Sequence, residues 1–174
     1  MKRLTLFVPG LLCGLVLGAA LSQTPRARAQ DAPELRTKLT TSVGALGAFG
    51  AYSCAQYLGA LGEDAKHKIS PTVRLRTHLG GLAGGLRSAI DDLTGLAKSV
   101  PEGERESVSS LATCYRRLLA EAQALDAYLE KPSPEAAETF RAARKAAWET
   151  TAKELGLEGE VVQKLEPGGA TLGQ

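Results

Sequence analysis

The chain has 174 residues, of which 44% are hydrophobic and 23% charged, and this is the composition of one ordinary globular domain. Residues 1–29 hold four of the 21 Lys and Arg and none of the 19 acids, so removing them changes the formal charge from +2 to about −2. A chain with this charge lacks the general electrostatic attraction on which nucleic-acid binding depends, so we expect no nucleic-acid partner.

The amino terminus has the pattern of an export signal. Two basic residues precede an apolar run over residues 4–21, and residues 27–29 have the small-x-small pattern of a cleavage site. We therefore predict that residues 1–29 are a signal peptide, cut before Gln30, and that the protein is exported to the periplasm or outside the cell. The alternative is a retained membrane anchor, because an apolar run of about 18 residues also reaches transmembrane length.

The first helical window is predicted over residues 34–61. No residue between 39 and 62 is charged, which permits a membrane span, a glycine-rich phosphate loop or a core helix. The segment has too few large apolar side chains to favour a membrane span. No strand precedes it, although a phosphate loop requires one. We therefore predict a core helix whose small-residue ridge packs against the glycines around Gly81 and Gly85. The ridge has steps of four residues: Gly47, Ala51, Ala55 and Gly59.

The next three windows are predicted over residues 71–99, 102–130 and 134–156. In the first two of these, apolar residues alternate steps of three and four, which indicates a bundle helix and excludes a strand. Serines before Pro71 and Pro134 are predicted N-caps, and Gly62 and Gly156 are predicted helix ends. The first apolar stripe is Leu75, Leu79, Leu82, Leu86, Ala89, Leu93, Leu96 and Val100, and the second is Val108, Leu111, Tyr115, Leu118, Ala122, Leu125 and Leu129.

These windows predict an all-α fold, a four-helix up-down-up-down bundle over residues 30–157 that follows the signal or anchor segment. Residues 63–69 form the one longer connection. The polar, proline- and glycine-containing residues 158–174 are predicted to be a disordered tail.

Cys54 and Cys114 are an even pair in a chain predicted to reach an oxidising compartment, which favours a disulfide between them. They lie on the first and third helices, which run parallel in this topology. If the two helices begin at the same level, the two cysteines are offset by about 12 Å along the helix axis. A disulfide tolerates only about 7 Å between Cα atoms, so the bond requires one helix to be displaced along its axis. The alternative is two buried free thiols.

The chain offers little catalytic or metal-binding chemistry. His67 and His78 are its only histidines, and 11 residues apart on a single helix they would lie about 16 Å from each other and could not share a metal. Cys54 lies in an apolar run that raises the pKa of a thiol instead of activating it. We predict no catalytic residue, no metal site and no cofactor.

One segment has a charge and glycine content that an ordinary bundle helix does not require. No acidic residue lies between positions 66 and 87, around the start of the second helix, and this segment has four glycines that weaken a helix. The hypothesis is a contact face for an anionic envelope component or a protein partner; the plainer alternative is glycines that face a neighbouring helix. The predicted binding residues are Lys66, Lys68, Arg74, His78, Gly81, Gly84 and Arg87.

The function that this sequence favours is an exported, non-enzymatic helical bundle that acts as a binding or structural module of the cell envelope or the extracellular space. One alternative is a membrane-tethered accessory subunit of an envelope complex, in which residues 4–21 are retained and membrane contact is expected. Another is a small-ligand carrier or an enzyme, which needs a deep pocket with convergent polar groups.

Overall fold

The computed structural model describes residues 28–157, with side chains from Lys38 onward, and these residues form four α-helices and no strand. The predicted all-α four-helix bundle is confirmed. The predicted signal segment and tail lie outside the described residues, apart from 28 and 29 at the start of the first helix. The helices are α1 (Arg28–His67), α2 (Thr72–Ser99), α3 (Glu102–Glu130) and α4 (Pro134–Glu154).

The chain divides into two units after Leu39. Of the first unit, the helical backbone of residues 28–39 and the exposed side chains of Lys38 and Leu39 are described, and the packing below is that of the unit that begins at Thr40. Among the helices within residues 28–157, none is both long and apolar enough to cross a membrane.

The helices run up, down, up and down, because in each consecutive pair residues near the end of one helix contact residues near the beginning of the other. The parallel arrangement of α1 and α3 is also confirmed: the Thr40 hydroxyl donates to Glu104 Oε2 at 3.2 Å, and Gly47 lies against Leu111. The contacts between consecutive helices are Tyr57–His78 and Asp64–Ser70, then Arg76–Asp126 and Thr94–Arg116, then Ser110–Glu154 and Cys114–Thr151.

The first helix is longer than its sequence indicates. The predicted end at Gly62 is wrong, because Gly62 is buried inside α1 and the helix continues through the predicted connection to His67. The helix ends at His67; the next residue, Lys68, adopts a left-handed φ of 52°, and the Ile69 N–H donates to the Asp64 carbonyl at 3.0 Å. This is the hydrogen-bond pattern of a Schellman motif, with lysine at the position where glycine is usual.

The two predicted serine caps have different outcomes. Ser133 caps α4, since its hydroxyl accepts a hydrogen bond from the Ala136 N–H at 3.1 Å, and Gly156, with φ of 65°, follows the end of that helix as predicted. The predicted cap at Ser70 is wrong: its hydroxyl donates to Asp64 Oδ2 at 3.0 Å, and α2 has no side-chain cap. Ser70 therefore ties the α1–α2 turn to α1.

The core contains apolar side chains from all four helices, and Phe140 and Leu58 are among its largest fully buried members. The contribution of α1 begins at Ala51, whereas residues 41–46 are all exposed. The prediction that α1 is one wall of a packed core is therefore correct only for its second half. The core cluster is Ala51, Ala55, Leu58, Leu61, Leu75, Leu79, Leu86, Cys114, Leu118, Ala122, Leu125, Ala137, Phe140, Ala147, Trp148 and Ala152.

The predicted packing of the α1 small-residue ridge against the α2 glycines is wrong. Gly47 packs on α3, where a β-carbon would overlap the Leu111 side chain, and its carbonyl accepts a hydrogen bond from the Tyr115 hydroxyl at 3.1 Å. An added β-carbon at Gly81 or Gly85 would meet no atom within 4 Å. Leucines take the buried positions of α2, so these glycines face solvent.

The predicted disulfide is absent, because Cys54 and Cys114 are free thiols. The neighbours Gly47 and Leu111 fix the register of α1 against α3, and in this register the position level with Cys114 is residue 50. Cys54 therefore lies about 6 Å further along the helix axis. Cys114 Sγ instead lies 3.2 Å from Thr151 Oγ1 on α4, and burial raises the pKa of both thiols.

Candidate functional site

An open apolar cavity of about 380 Å³ is lined mainly by α1, α2 and α3, with Glu154 contributed by α4, and we call it the apolar groove. Its walls are mostly aliphatic, and Thr40, Ser107 and Glu154 supply the polar groups of its lining. The remaining lining residues are Val43, Gly44, Ala48, Leu93, Leu96, Val100, Val108 and Leu111.

The apolar groove forms where two predicted core elements do not close on each other. Gly44 and Ala48, one turn apart on α1, present little side-chain volume on that wall. On α2, Leu93 is half-buried and Leu96 remains 40% exposed, although both belong to the stripe predicted to face the core. Large apolar side chains on one wall and small residues on the other therefore leave a concave apolar surface open to solvent.

The outward side of α1 is also uncharged. Six residues at alternating steps of four and three share the side opposite the buried Ala51, and we call this surface the α1 outer face. Its two large members are well exposed, Leu46 at 71% and Phe49 at 65%. The α1 outer face consists of Ser42, Leu46, Phe49, Ser53, Gln56 and Ala60.

A small polar cleft of about 200 Å³ lies at the α1–α2 turn, and it brings two of the predicted binding residues together. Arg74 and His78 line it, and the Tyr57 hydroxyl lies 2.5 Å from His78 Nδ1. The hydrogen-bonded Asp64 and Ser70 line the same cleft. Arg74 and His78 are thus the only two predicted binding residues that share a site, and the Asp64 carboxylate of α1 lines the same site.

The other predicted residues lie elsewhere. Arg87 lines a separate cleft of about 220 Å³ together with Asp126 and Glu130 of α3. Lys68 lines a cavity at the end of the bundle, Lys66 is exposed in the last turn of α1, and Gly81 and Gly84 are exposed with open space above them.

The basic segment is therefore free of acids along the chain but not in space. Arg76, which lies within it, forms ion pairs with Asp126 at 2.8 Å and Glu130 at 3.5 Å. The seven predicted residues therefore do not line one common site: they are divided among separate clefts and exposed positions, and α1 and α3 supply carboxylates beside them. Binding of an anionic envelope component at Arg74 and His78 stays a prediction.

Sequence reasoning missed a buried carboxyl group at the α3–α4 contact. Glu121 is 2% exposed, and burial raises its pKa to about 8, an effect that the nearby Arg144 guanidinium opposes. A signal was present, because Leu118, Glu121 and Leu125 continue the three-and-four spacing of the α3 core. Within the described part of the chain, no group of three potential metal ligands converges.

Of these features, the apolar groove has the most aliphatic lining; the cavity at the end of the bundle is larger, about 620 Å³, but Lys68, Ser70 and Thr72 make its lining more polar. The polar cleft is smaller, and the neighbourhood of Glu121 is closed by packing. No protein-family model, no curated protein and no solved structure matches this chain, so a functional proposal depends on the geometry of these surfaces.

Proposed function

We propose that this protein is a non-enzymatic binding module and that the apolar groove binds an amphipathic helical segment of a partner protein. The observation that supports this proposal is an open apolar cavity of about 380 Å³ lined by residues of all four helices. An apolar cavity of about 150 Å³ already holds benzene, so the apolar groove has room for two large side chains. Helices bind in such grooves by inserting apolar side chains spaced three or four residues apart.

The polar residues of the apolar groove favour one kind of partner. Among the residues that the structure describes, Glu154 is the only ionisable one that lines it, and its carboxylate also accepts a hydrogen bond from the Ser110 hydroxyl. A lysine or arginine beside the inserted side chains of the partner would lie next to this carboxylate. We therefore expect a basic amphipathic helix to bind more tightly than an acidic one.

The proposed place of action is the cell envelope or the extracellular space. Support comes from the amino-terminal sequence, in which the apolar run over 4–21 and the small-x-small pattern at 27–29 are typical of export. If the run is retained as an anchor, the same groove would serve a membrane-tethered subunit of an envelope complex. Mass spectrometry of the amino terminus separates the two cases, since a start at Gln30 excludes the anchor.

The groove is tested with Nile red, a neutral probe whose fluorescence rises in apolar sites. We expect saturable binding by the parent protein and at least about tenfold weaker binding by Leu96→Lys, which places a charge on the groove wall. The matched control is Val73→Lys on the same helix, where the native side chain is 78% exposed and outside the groove. Absence of saturable binding, or equal binding by both variants, contradicts the proposed site.

A further inference from the structure

The α1 outer face carries two large apolar side chains on the side of α1 that points away from the core. Its residues from Ser42 to Ala60 lie at steps of four, three, four, three and four, so they share one side of the helix. Leu46 and Phe49 are the large side chains of this face, and they are 71% and 65% exposed. A surface helix ordinarily places polar and charged residues on the side away from the core.

The other three helices follow that ordinary rule, and α1 does not. Asp91 of α2, Arg117 of α3 and Lys145 of α4 are exposed charged residues on the outward sides of their helices. On α1 no charged residue occurs between Leu39 and Gly62, on any side. Two copies of the α1 outer face therefore approach each other without like-charge repulsion.

The α1 outer face is also complementary to itself when two copies run antiparallel. A two-fold axis at the level of Ala51 places Phe49 of one copy opposite Ser53 of the other, and Leu46 opposite Gln56. Each large apolar side chain thus meets a smaller or polar residue, whereas a parallel pair in register places Phe49 against Phe49. An isologous contact of this kind closes after two copies.

We propose that the protein forms a two-fold symmetric dimer in which the α1 outer faces of two copies pair antiparallel. The residues from Ser42 to Ala60 span about 27 Å, and with a helix diameter of about 10 Å the paired face covers roughly 270 Å² in projection. A standard interface buries about 800 Å² per partner, so this contact is smaller than a standard interface. We therefore expect a weak and reversible dimer.

A second copy fits the α1 outer face better than a lipid surface does. Helices that lie on membranes combine several large apolar side chains with lysine and arginine on the polar side. The α1 outer face has two large apolar side chains, two serines and a glutamine, and α1 carries no charge over this length.

The test is sedimentation equilibrium from about 2 to 200 µM, on protein recovered from cells that express the full chain. The parent is expected to show a reversible monomer–dimer equilibrium, and Leu46→Lys/Phe49→Lys is expected to weaken dimerisation at least about tenfold. The matched control is Ile69→Lys/Val73→Lys, where the native side chains are 69% and 78% exposed and lie outside the α1 outer face. Circular dichroism on all three proteins shows whether the fold is kept.

Helix direction is tested by oxidative cross-linking with introduced cysteines. In the antiparallel dimer Ser42 lies opposite Ala60, so Ser42→Cys/Ala60→Cys is expected to form covalent dimers with oxidised glutathione. Ser42→Cys alone is not, because the two copies of position 42 lie about 27 Å apart, and it also controls for the native thiols.

Three outcomes overturn the proposal. They are a parent that stays monomeric at 200 µM, a dimer that the lysine pair on α1 weakens no more than the control pair, and covalent dimers from Ser42→Cys alone. A monomeric parent that sediments with phosphatidylcholine vesicles assigns the α1 outer face to lipid instead. Nile red binding at the apolar groove is a separate readout, so failure of the dimer does not imply failure of the groove.

Discussion

The buried Glu121 makes the stability of the bundle dependent on pH. Its carboxyl group is 2% exposed, and burial raises its pKa from an ordinary 4.5 to about 8 in the folded state. The folded protein therefore holds this proton more tightly than the unfolded chain does. The resulting contribution to stability is fully present below about pH 4.5, falls as the pH rises, and is lost above about pH 8.

The size of the effect follows from the interval between the two pKa values. Each pH unit in this interval corresponds to 1.36 kcal/mol, so the folded state loses roughly 5 kcal/mol relative to the unfolded chain between pH 4.5 and 8. Small domains have total stabilities of about 5–15 kcal/mol, so the loss is large. Arg144 is the charged group whose attraction opposes it.

Glu121→Gln tests this effect, because glutamine keeps the size of the side chain and cannot ionise. We expect the free energy of unfolding of the variant to equal that of the parent within about 1 kcal/mol at pH 4.5, and to exceed it by several kcal/mol at pH 9. Urea unfolding followed by circular dichroism at pH 4.5, 7 and 9 measures the difference. Glu106→Gln, at an exposed position of the same helix, is expected to leave the pH profile unchanged.

The opposite result is equally clear. If Glu121→Gln is less stable than the parent at pH 9 and equal to it at pH 4.5, the carboxylate is ionised and its interaction with Arg144 outweighs the cost of burial. Parallel pH profiles for the parent and Glu121→Gln would refute the claim that this group titrates differently in the two states.

Three further predictions concern the helices and are measured by urea unfolding. Gly81→Ala is expected to stabilise the protein by about 1 kcal/mol because its site is open, whereas Gly47→Ala is expected to be neutral or destabilising because the new methyl group meets Leu111. Ser133→Ala removes the only side-chain acceptor for the Ala136 N–H and is expected to cost about 1 kcal/mol. Lys68→Gly is expected to stabilise by up to about 1 kcal/mol, because glycine adopts the left-handed φ of 52° without strain. A change of the opposite sign contradicts each.

The helices α2, α3 and α4 were predictable because their apolar and charged residues alternate with a helical period. Their predicted boundaries lie within two residues of those observed, since Ser133 and Gly156 act as the local signals indicate. In α1 the same reasoning failed over residues 41–49. When a segment has neither charged residues nor a dominant apolar stripe, its sequence does not indicate which side faces solvent. Its burial then depends on the neighbouring helices.

The candidate sites depended on contacts between distant parts of the chain. The basic segment around α2 is free of acids along the sequence, but Asp126 and Glu130 arrive from α3, about 50 residues away. The apolar groove exists because Leu93 and Leu96 are incompletely covered, which the regular spacing of their stripe conceals. Glu121 was also missed, although its spacing from Leu118 and Leu125 in the sequence already indicates a core position of α3.

The open glycines of α2 also bear on the order in which the bundle loses structure. Gly80, Gly81, Gly84 and Gly85 add backbone freedom to the middle of a helix whose buried residues form a single stripe. By contrast, α3 packs against all three other helices. Local opening in the middle of α2 is therefore expected to require less free energy than in α3, and its amide hydrogens are expected to exchange with solvent before those of α3.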